Sequence, residues 1–364
     1  MKVAPVLREI AKRHAAGEAK VIEPMLVHTG QHYDVSMNDV FFSDLGMPDP
    51  DEFLGVGGGA HAVQTARVMS AFDEVCERRA IDAILVVGDV NSTLACALVG
   101  SKRGIKVIHI EAGLRSFDRS MPEEVNRVLT DQISDLLLIT SEDAFANLER
   151  EGIPRDRVRF VGNPMIDSMT QMLASLGPES PWISRAGRFG GRYVVVTLHR
   201  PSNVDRIDDL VPIVDALRTV SRTVPVVFPI HPRTAKTLAS SGFALASLPR
   251  DDGPLEATFY ASDPLGYRDF LDLMRGACLV VTDSGGIQEE TTVLGVPCAT
   301  VRPNTERPVT IEIGTNDLIG RSPEKVIAAA ERVLRGGWKR GSAPPLWDGR
   351  AAERIVDALV EFAG

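Results

Sequence analysis

Strand-like and helix-like stretches alternate along the whole chain, which predicts an α/β protein of two doubly wound, Rossmann-like domains facing a central cleft. Three observations carry that expectation. Short β-branched runs recur between stretches of helical periodicity. A length of 364 residues exceeds one ordinary core and suits two domains of roughly 150–200 residues. Nearly every strand-like run also ends in a small polar or ionisable cluster, as a cleft built from strand ends requires.

In chain order, the first set of strands reads Met25–Val27, Ala83–Val87, Val107–Ile110, Leu136–Ile139 and Val158–Val161. The second reads Tyr193–Thr197, Val224–Ile230, Leu279–Val281 and Cys298–Val301. Helical periodicity fills the gaps at Ala62–Arg78, Glu123–Ile133 and Asp208–Val220, as right-handed crossovers of parallel sheets demand. The expected division is an N-terminal domain over 1–170, a hinge over 171–191, a C-terminal domain over 192–345, and a helix over 346–364 packing back on the first domain. Gly177 to Pro181 with Gly187, Gly190 and Gly191 supplies the hinge composition. Ser240–Asp263 lacks a clear pattern and reads as a surface loop.

Composition excludes several classes of function. With 44% hydrophobic and 24% charged residues, the chain is an ordinary globular protein. A formal net charge of -9 with no Lys/Arg run argues against nucleic acid as partner. No apolar segment approaches the ~20 residues that span a bilayer, and the N-terminus has no signal-peptide core. Cys76, Cys96, Cys278 and Cys298 lie in apolar segments without C-x-x-C spacing, so free thiols in a reducing, cytoplasmic compartment are expected.

The strand ends carry the chemistry. Gly88-Asp89, Glu111 to Arg115, Ser141-Glu142, Gly162-Asn163, His199-Arg200 and His231 to Arg233 each follow a strand. Taken singly, each has a structural explanation: Asp89 as a helix N-cap, His109 as a buried hydrogen-bonded histidine, Arg200 as a surface charge. Six such clusters at equivalent places are harder to dismiss. After Cys278–Val281 come Asp283, Ser284, Gly285 and Gly286, then a helix capped by Ser284 or Asp283. Two glycines at a helix N-terminus admit a phosphate, and the following Glu289–Glu290 pair offers acceptors for ribose hydroxyls. That layout suits a nucleotide-diphosphate sugar.

The motifs His28 to Asp34, Gly88-Asp89, His109-Ile-Glu-Ala-Gly-Leu-Arg115, Met121-Pro-Glu-Glu-Val-Asn-Arg127, Gly162-Asn163, His199-Arg200, His231-Pro232, Asp283 to Glu290 and Thr305-Glu-Arg-Pro308 occur in one order. In this the chain resembles the non-hydrolysing UDP-N-acetylglucosamine 2-epimerase family, which implies a glycosyltransferase-B-type fold. The resemblance implies C2 inversion of UDP-N-acetylglucosamine by anti-elimination of UDP and re-addition through a 2-acetamidoglucal. It implies Asp89, Glu111, Glu123 and His199 as catalytic residues. Lys2, His231, Ser284, Gly285, Gly286, Glu290 and Arg307 are implied as substrate contacts. Gln31, His32, Arg67 and Arg200 match part of a second, activating UDP-sugar site of bacterial members. No cofactor and no metal are expected, and a homodimer is.

One departure concerns the first residues. Family members begin with a strand and a loop like Gly-Thr-Arg-Pro-Glu-Ala-Ile-Lys, whereas Met1-Lys-Val-Ala-Pro-Val-Leu matches only its tail, with Lys2 at the loop lysine. The first strand and the loop arginine are thus missing, which points to a start assigned too late. Loss of a central strand is expected to leave apolar edges. Within the resembled family a hydrolysing epimerase and a 2,3-diacetamido-uronate epimerase are alternatives; of another class, a UDP-sugar glycosyltransferase and an inactive UDP-sugar-binding protein are.

Overall fold

The computed structural model describes residues 1–18, 22–30, 42, 45–177, 189, 191–240, 242–243, 245–248 and 258–364. The chain forms two compact units, one of Met1–Ser168 with Pro345–Gly364, the other of Met169–Pro344.

The first unit opens with helix α1 (Ala4–Ala15), a short parallel pair β1 (Val27–His28) and β2 (Glu52–Phe53), and α2 (His61–Arg78). There follow β3 (Ala83–Val87), α3 (Asn91–Arg103), β4 (Lys106–Ala112), α4 (Pro122–Ile133), β5 (Leu136–Ile139), α5 (Asp143–Arg150), β6 (Val158–Phe160) and α6 (Pro164–Ser175). Strands β3-β4-β5-β6 pair in that order, all parallel. Successive side chains of a strand point to opposite faces, and both faces here are apolar. Ile84, Val86 and Val107 join Val68, Phe72 and Val75 of α2 on one side. Ile108, Ile110, Leu136 and Leu138 pack with Val6 and Ile10 of α1 and with Ile355, Val356 and Leu359 of the C-terminal helix, Ala351–Ala363, on the other. Double burial explains why these strands read as continuous apolar runs. Strand β3 pairs on one side only within this sheet, and its Leu85 and Val87 are partly buried against the second cluster.

The second unit runs β7 (Val194–Thr197), α7 (Pro201–Val204), α8 (Ile207–Ser221), β8 (Val226–Pro229), α9 (Pro232–Ser240), β9 (Ala246–Ser247) and β10 (Phe259–Ser262). It continues with α10 (Tyr267–Arg275), β11 (Leu279–Thr282), α11 (Gly285–Leu294), β12 (Cys298–Thr300), α12 (Val309–Glu312), β13 (Asn316–Leu318) and α13 (Pro323–Leu334). Its seven strands pair in the order β13-β12-β11-β7-β8-β10-β9, and every pair is parallel. The order reverses between β7 and β11, and such a switch point is where open α/β sheets bind ligands.

One expectation changes and one narrows. The Ser240–Asp263 stretch is not wholly a surface loop: Phe259–Ser262 is a strand with Phe259 and Tyr260 buried, paired to β8. Four residues ending in Ala-Ser are too few to show a strand pattern. The N-cap of α11 is Ser284, whose side chain makes no capping bond; Asp283 turns elsewhere, as described below. Of the expected hinge, residues 178–188 and 190 lie outside the described residues.

Candidate active site

In the first unit, register builds the site. Val87 of β3 pairs with Ile110 of β4, so the turn at Gly88-Asp89 and the residue Glu111 leave adjacent strands side by side. The β4–β5 register shifts between Ile110 and Ala112, and Glu111 adopts φ 72° there. A left-handed non-glycine residue costs of order 1–2 kcal/mol, and a bulge re-aims the side chain it carries. The buried Glu111 carboxylate pairs with the Lys2 ammonium. Gly88, at φ 69°, lies against both: a Cβ there would stand 3.4 Å from Glu111 Oε2 and 3.6 Å from Lys2 Nζ.

Asp89 is fixed from behind by α4. Its carboxylate pairs with the Arg127 guanidinium and its carbonyl accepts from Asn126 Nδ2 at 2.9 Å. The cap of α3 is Val90, so Asp89 is not the N-cap that its position allows. Arg127 also pairs with Glu124, which accepts from the Ser116 and Phe117 amides and the Ser116 hydroxyl, each at 2.9 Å. Burial would raise the Glu124 carboxyl, but these bonds and Arg127 outweigh it and hold it below the usual range. Its neighbour Glu123 is half-buried in the same first turn and, among the described residues, makes no hydrogen bond or ion pair.

Behind the turn stands a buried charged chain. His109 is fully buried, with Nε2 2.8 Å from the Gly88 carbonyl and Nδ1 2.7 Å from Asp131 Oδ1. Asp131 Oδ2 accepts from the Gly113 amide at 3.0 Å and pairs with Arg115 at 2.7 Å, and Arg115 grips Glu151 with two bonds of 2.7 and 2.6 Å. Burial opposes ionisation of Asp131, yet His109 and Arg115 hold its carboxyl below the ordinary value.

In the second unit the switch point plays the same part. Thr197 pairs with Thr282, so the His199-Arg200 turn and the Asp283–Gly285 turn leave neighbouring strands together. Asp283, fully buried, joins them. It accepts from the His199 amide at 3.1 Å, the Arg200 amide at 3.0 Å, Asn203 Nδ2 at 3.0 Å, and pairs with His199 Nδ1 at 2.9 Å. Burial raises the Asp283 carboxyl, and His199, Asn203 and the Arg200 amide more than offset that. With Nδ1 committed to Asp283, Nε2 is the nitrogen left for a ligand, and the His199 side chain is 52% exposed.

The open N-terminus of α11 sits among arginines. Arg307 pairs with Glu289 at 2.7 Å and with Glu306; Arg302 pairs with Glu306 at 2.7 Å and Arg200 approaches it at 3.7 Å. A Cβ on Gly285 would fall 2.9 Å from Arg307 Cζ and 2.9 Å from Glu306 Oε1, so any side chain there must displace that ion pair. The uncapped amides of this helix start, beside the Arg200 and Arg307 guanidinium groups, favour an anion. Farther along, Glu290 is buried and accepts from the Tyr267 hydroxyl at 2.8 Å. Burial pushes its carboxyl up to about 7, with Tyr267 opposing and Glu289 adding.

Within the first unit the structure brings together Lys2, Asp89 and Glu111, with Glu123 on the helix that holds Asp89. Within the second it gathers His199, Arg200, Ser284, Gly285, Gly286 and Arg307. His231 is exposed at the end of β8, and Arg67 is exposed on α2. Gln31 and His32 lie outside the described residues. Residues given no holding role from sequence are the ones that hold the others: Asp283, read there only as a possible cap, and Asp131, Glu124, Arg127, Glu306, Arg302 and Tyr267. An acid set between an apolar strand and the Ser-Gly-Gly turn was the available signal for Asp283. Among the described residues no group of three or more His, Cys, Asp or Glu could hold a metal ion, and no helix is long and apolar enough to cross a membrane.

The family model of UDP-N-acetylglucosamine 2-epimerase matches residues 14–360. A UDP-N-acetylglucosamine 2-epimerase of Methanococcus maripaludis is 38% identical, over 99% of this chain and 94% of that protein. A UDP-2,3-diacetamido-2,3-dideoxy-D-glucuronate 2-epimerase of Pseudomonas aeruginosa is 37% identical over 95% and 93%. The crystal structure of the Methanocaldococcus jannaschii UDP-GlcNAc 2-epimerase, in complex with UDP-GlcNAc and UDP, superposes with a TM-score of 0.86 at 39% identity, covering 99% of this chain and 96% of that one. The chain therefore belongs to the UDP-N-acetylglucosamine 2-epimerase family and is an epimerase.

Proposed function

We propose that this enzyme interconverts UDP-N-acetylglucosamine and UDP-N-acetylmannosamine by eliminating UDP and adding it back. The observation that carries the reading is the Asp89–Glu111 pair of strand ends. Two carboxylates are held rigidly by Arg127 and Lys2, with Glu123 on the adjoining helix. The bound UDP-GlcNAc and UDP of the Methanocaldococcus jannaschii relative support the substrate class.

The C2 proton is not beside a carbonyl and is too weakly acidic for direct removal. As the C1–O bond breaks, its electron pair goes to the β-phosphate oxygen and positive charge on the ring acidifies C2–H. One carboxylate takes that proton, the C–H pair becomes the C1=C2 bond, and 2-acetamidoglucal and UDP result. A second acid then protonates C2 from the other face while the phosphate oxygen re-forms the bond to C1. No electrons are gained or lost overall. Asp89, Glu111 and Glu123 form the pool for acid and base. His199, oriented by Asp283, donates toward the leaving phosphate, and the α11 N-terminus with Arg307 holds the pyrophosphate. Glu290 takes the ribose.

Epimerisation in heavy water tests the route. Deuterium should appear at C2 of both sugars, with UDP recovered in the sugar nucleotides; unlabelled epimer would exclude elimination, and free sugar would mark hydrolysis. The Pseudomonas aeruginosa relative motivates a second substrate, the 2,3-diacetamido uronate. Competing the two sugar nucleotides in one assay decides which is turned over faster.

A further inference from the structure

We infer that His109 is a positioning residue of the epimerase reaction: as a buried imidazolium bridging Asp131 and the Gly88 carbonyl, it sets the peptide from which Asp89 projects. The inference rests on the proposed role of Asp89 and Glu111.

A carbonyl oxygen can only accept, so Nε2 must carry a proton toward Gly88. Asp131 is ion-paired with Arg115 through its other oxygen, which also accepts from the Gly113 amide, and these contacts hold it as a carboxylate. The Nδ1 atom facing it at 2.7 Å must then donate as well. Both ring nitrogens are donors, and the chain Glu151, Arg115, Asp131, His109 alternates in charge and sums to zero. That balance lets a charged ring sit at 0% exposure.

The chain ends on the one peptide that matters for the site. In a trans peptide the N–H lies opposite the C=O, so fixing the Gly88 carbonyl toward His109 aims the Asp89 amide the other way. The remaining freedom of the turn is removed by the Gly88 amide on the Ile110 carbonyl at 3.0 Å, Asn126 on the Asp89 carbonyl and Arg127 on its carboxylate. Without the imidazole bond, Gly88 at φ 69° is the least hindered residue of the turn and the natural place for it to swing. Small displacements of a catalytic group are costly, about 100-fold for a shift of 1 Å.

Substitutions at two positions separate this role from folding alone. His109→Phe keeps an aromatic ring, a somewhat larger one, and deletes both donors. Asp131→Asn is isosteric: its amide nitrogen donates to Nδ1 and its oxygen accepts from Gly113 and Arg115. His109 then becomes neutral with Nε2–H still on Gly88. The measurements are kcat, KM, deuterium incorporation at C2, UDP affinity by calorimetry and melting temperature, with Asp89→Asn as control. Folded His109→Phe should lose about 100-fold in kcat and in C2 exchange, with KM and UDP affinity within about threefold. Asp131→Asn should stay at least about tenfold more active than His109→Phe. Folded His109→Phe with near-normal kcat, or a loss confined to KM, would overturn the inference. So would Asp131→Asn falling as far as His109→Phe, since charge and not the carbonyl bond would then be responsible. If His109→Phe does not fold, the comparison passes to His109→Gln, which can still donate to Gly88 and should recover turnover above the level of His109→Leu; equal loss in both contradicts positioning. An Asp89→Asn control of full activity would instead remove the underlying assignment of Asp89.

Discussion

Glu123 and Glu124 enter the same first turn of α4, and only their partners tell them apart. Glu124 spends its oxygens on Ser116, Phe117 and Arg127, whereas Glu123 keeps its carboxylate uncommitted among the described residues. Glu124→Gln should leave buried amides poorly paired and cost about 1–3 kcal/mol of stability. Glu123→Gln should leave the melting temperature in place and lower turnover by ~10²–10⁴. A Glu123→Gln enzyme of near-normal turnover would remove it from the chemistry. The sequence offered both glutamates in one motif, and neither type nor spacing says which one folds inward. Asp283 was hidden for a similar reason: next to a helix start an acid reads as a cap, and its four partner groups come from a segment 80 to 84 positions away in the chain. Glu290 gives a pH test. Its carboxyl rises from 4.5 to about 7 on folding, first through burial, with Tyr267 opposing and Glu289 adding. Between those values the folded state keeps a proton that the unfolded chain has lost, so this group's contribution falls as pH rises through the window. Glu290→Gln removes that penalty. Its stability should gain on the parent between about pH 5 and about pH 8, by on the order of 1–3 kcal/mol, read from melting curves across that range; parallel profiles would contradict the burial argument.

Elements whose side chains are apolar on both faces were legible as strands. Ala83–Val87 and Leu136–Ile139 coincide with the expected runs, and most other ends differ by one or two residues, where the polar strand ends fray into turns. What periodicity could not show were the short elements β9, β10 and β13, each two to four residues long, two of them at the sheet's edges. Nor does a pattern reveal register, and register is what sets Thr197 beside Thr282 and Val87 beside Ile110. The start of α11 makes a prediction at this scale. Gly285→Ala puts a methyl 2.9 Å from Arg307 Cζ and Glu306 Oε1, so the ion cluster must shift, at about 1–3 kcal/mol. If the same turn holds the pyrophosphate, UDP affinity must fall with it, and Gly286→Val should weaken UDP by several-fold or more. Both variants are to be melted and titrated with UDP by calorimetry. Destabilised proteins that bind UDP normally would mean that the glycines serve packing alone, and would move the nucleotide away from this helix.

At the scale of the molecule, the chain completes its first unit last. After leaving that unit at Ser168 and forming residues Met169–Pro344, it returns with Pro345–Gly364. Asp167 receives the returning helix, accepting from the Ala351 amide at 3.1 Å and the Ala352 amide at 2.7 Å, while Trp347 Nε1 donates to the Thr140 carbonyl at 2.8 Å. Ile355, Val356 and Leu359 then cover Ile108, Ile110, Leu136 and Leu138. Burying each such side chain contributes about 1.5–3 kcal/mol, so three of them with Trp347 approach the roughly 5–15 kcal/mol that a whole domain has to spare. Removing Pro345–Gly364 should therefore unfold the first unit, although every candidate carboxylate remains in the chain. Hydrogen exchange reads this directly. Amides of Ile108 and Ile110 should lose protection while those of Val195 and Val280, in the core of the second unit, keep theirs. Epimerisation should vanish, and UDP should still bind if the second unit alone holds the nucleotide. Protected β4 amides in the shortened chain would show that the sheet carries its own stability and that the returning helix is dispensable to it.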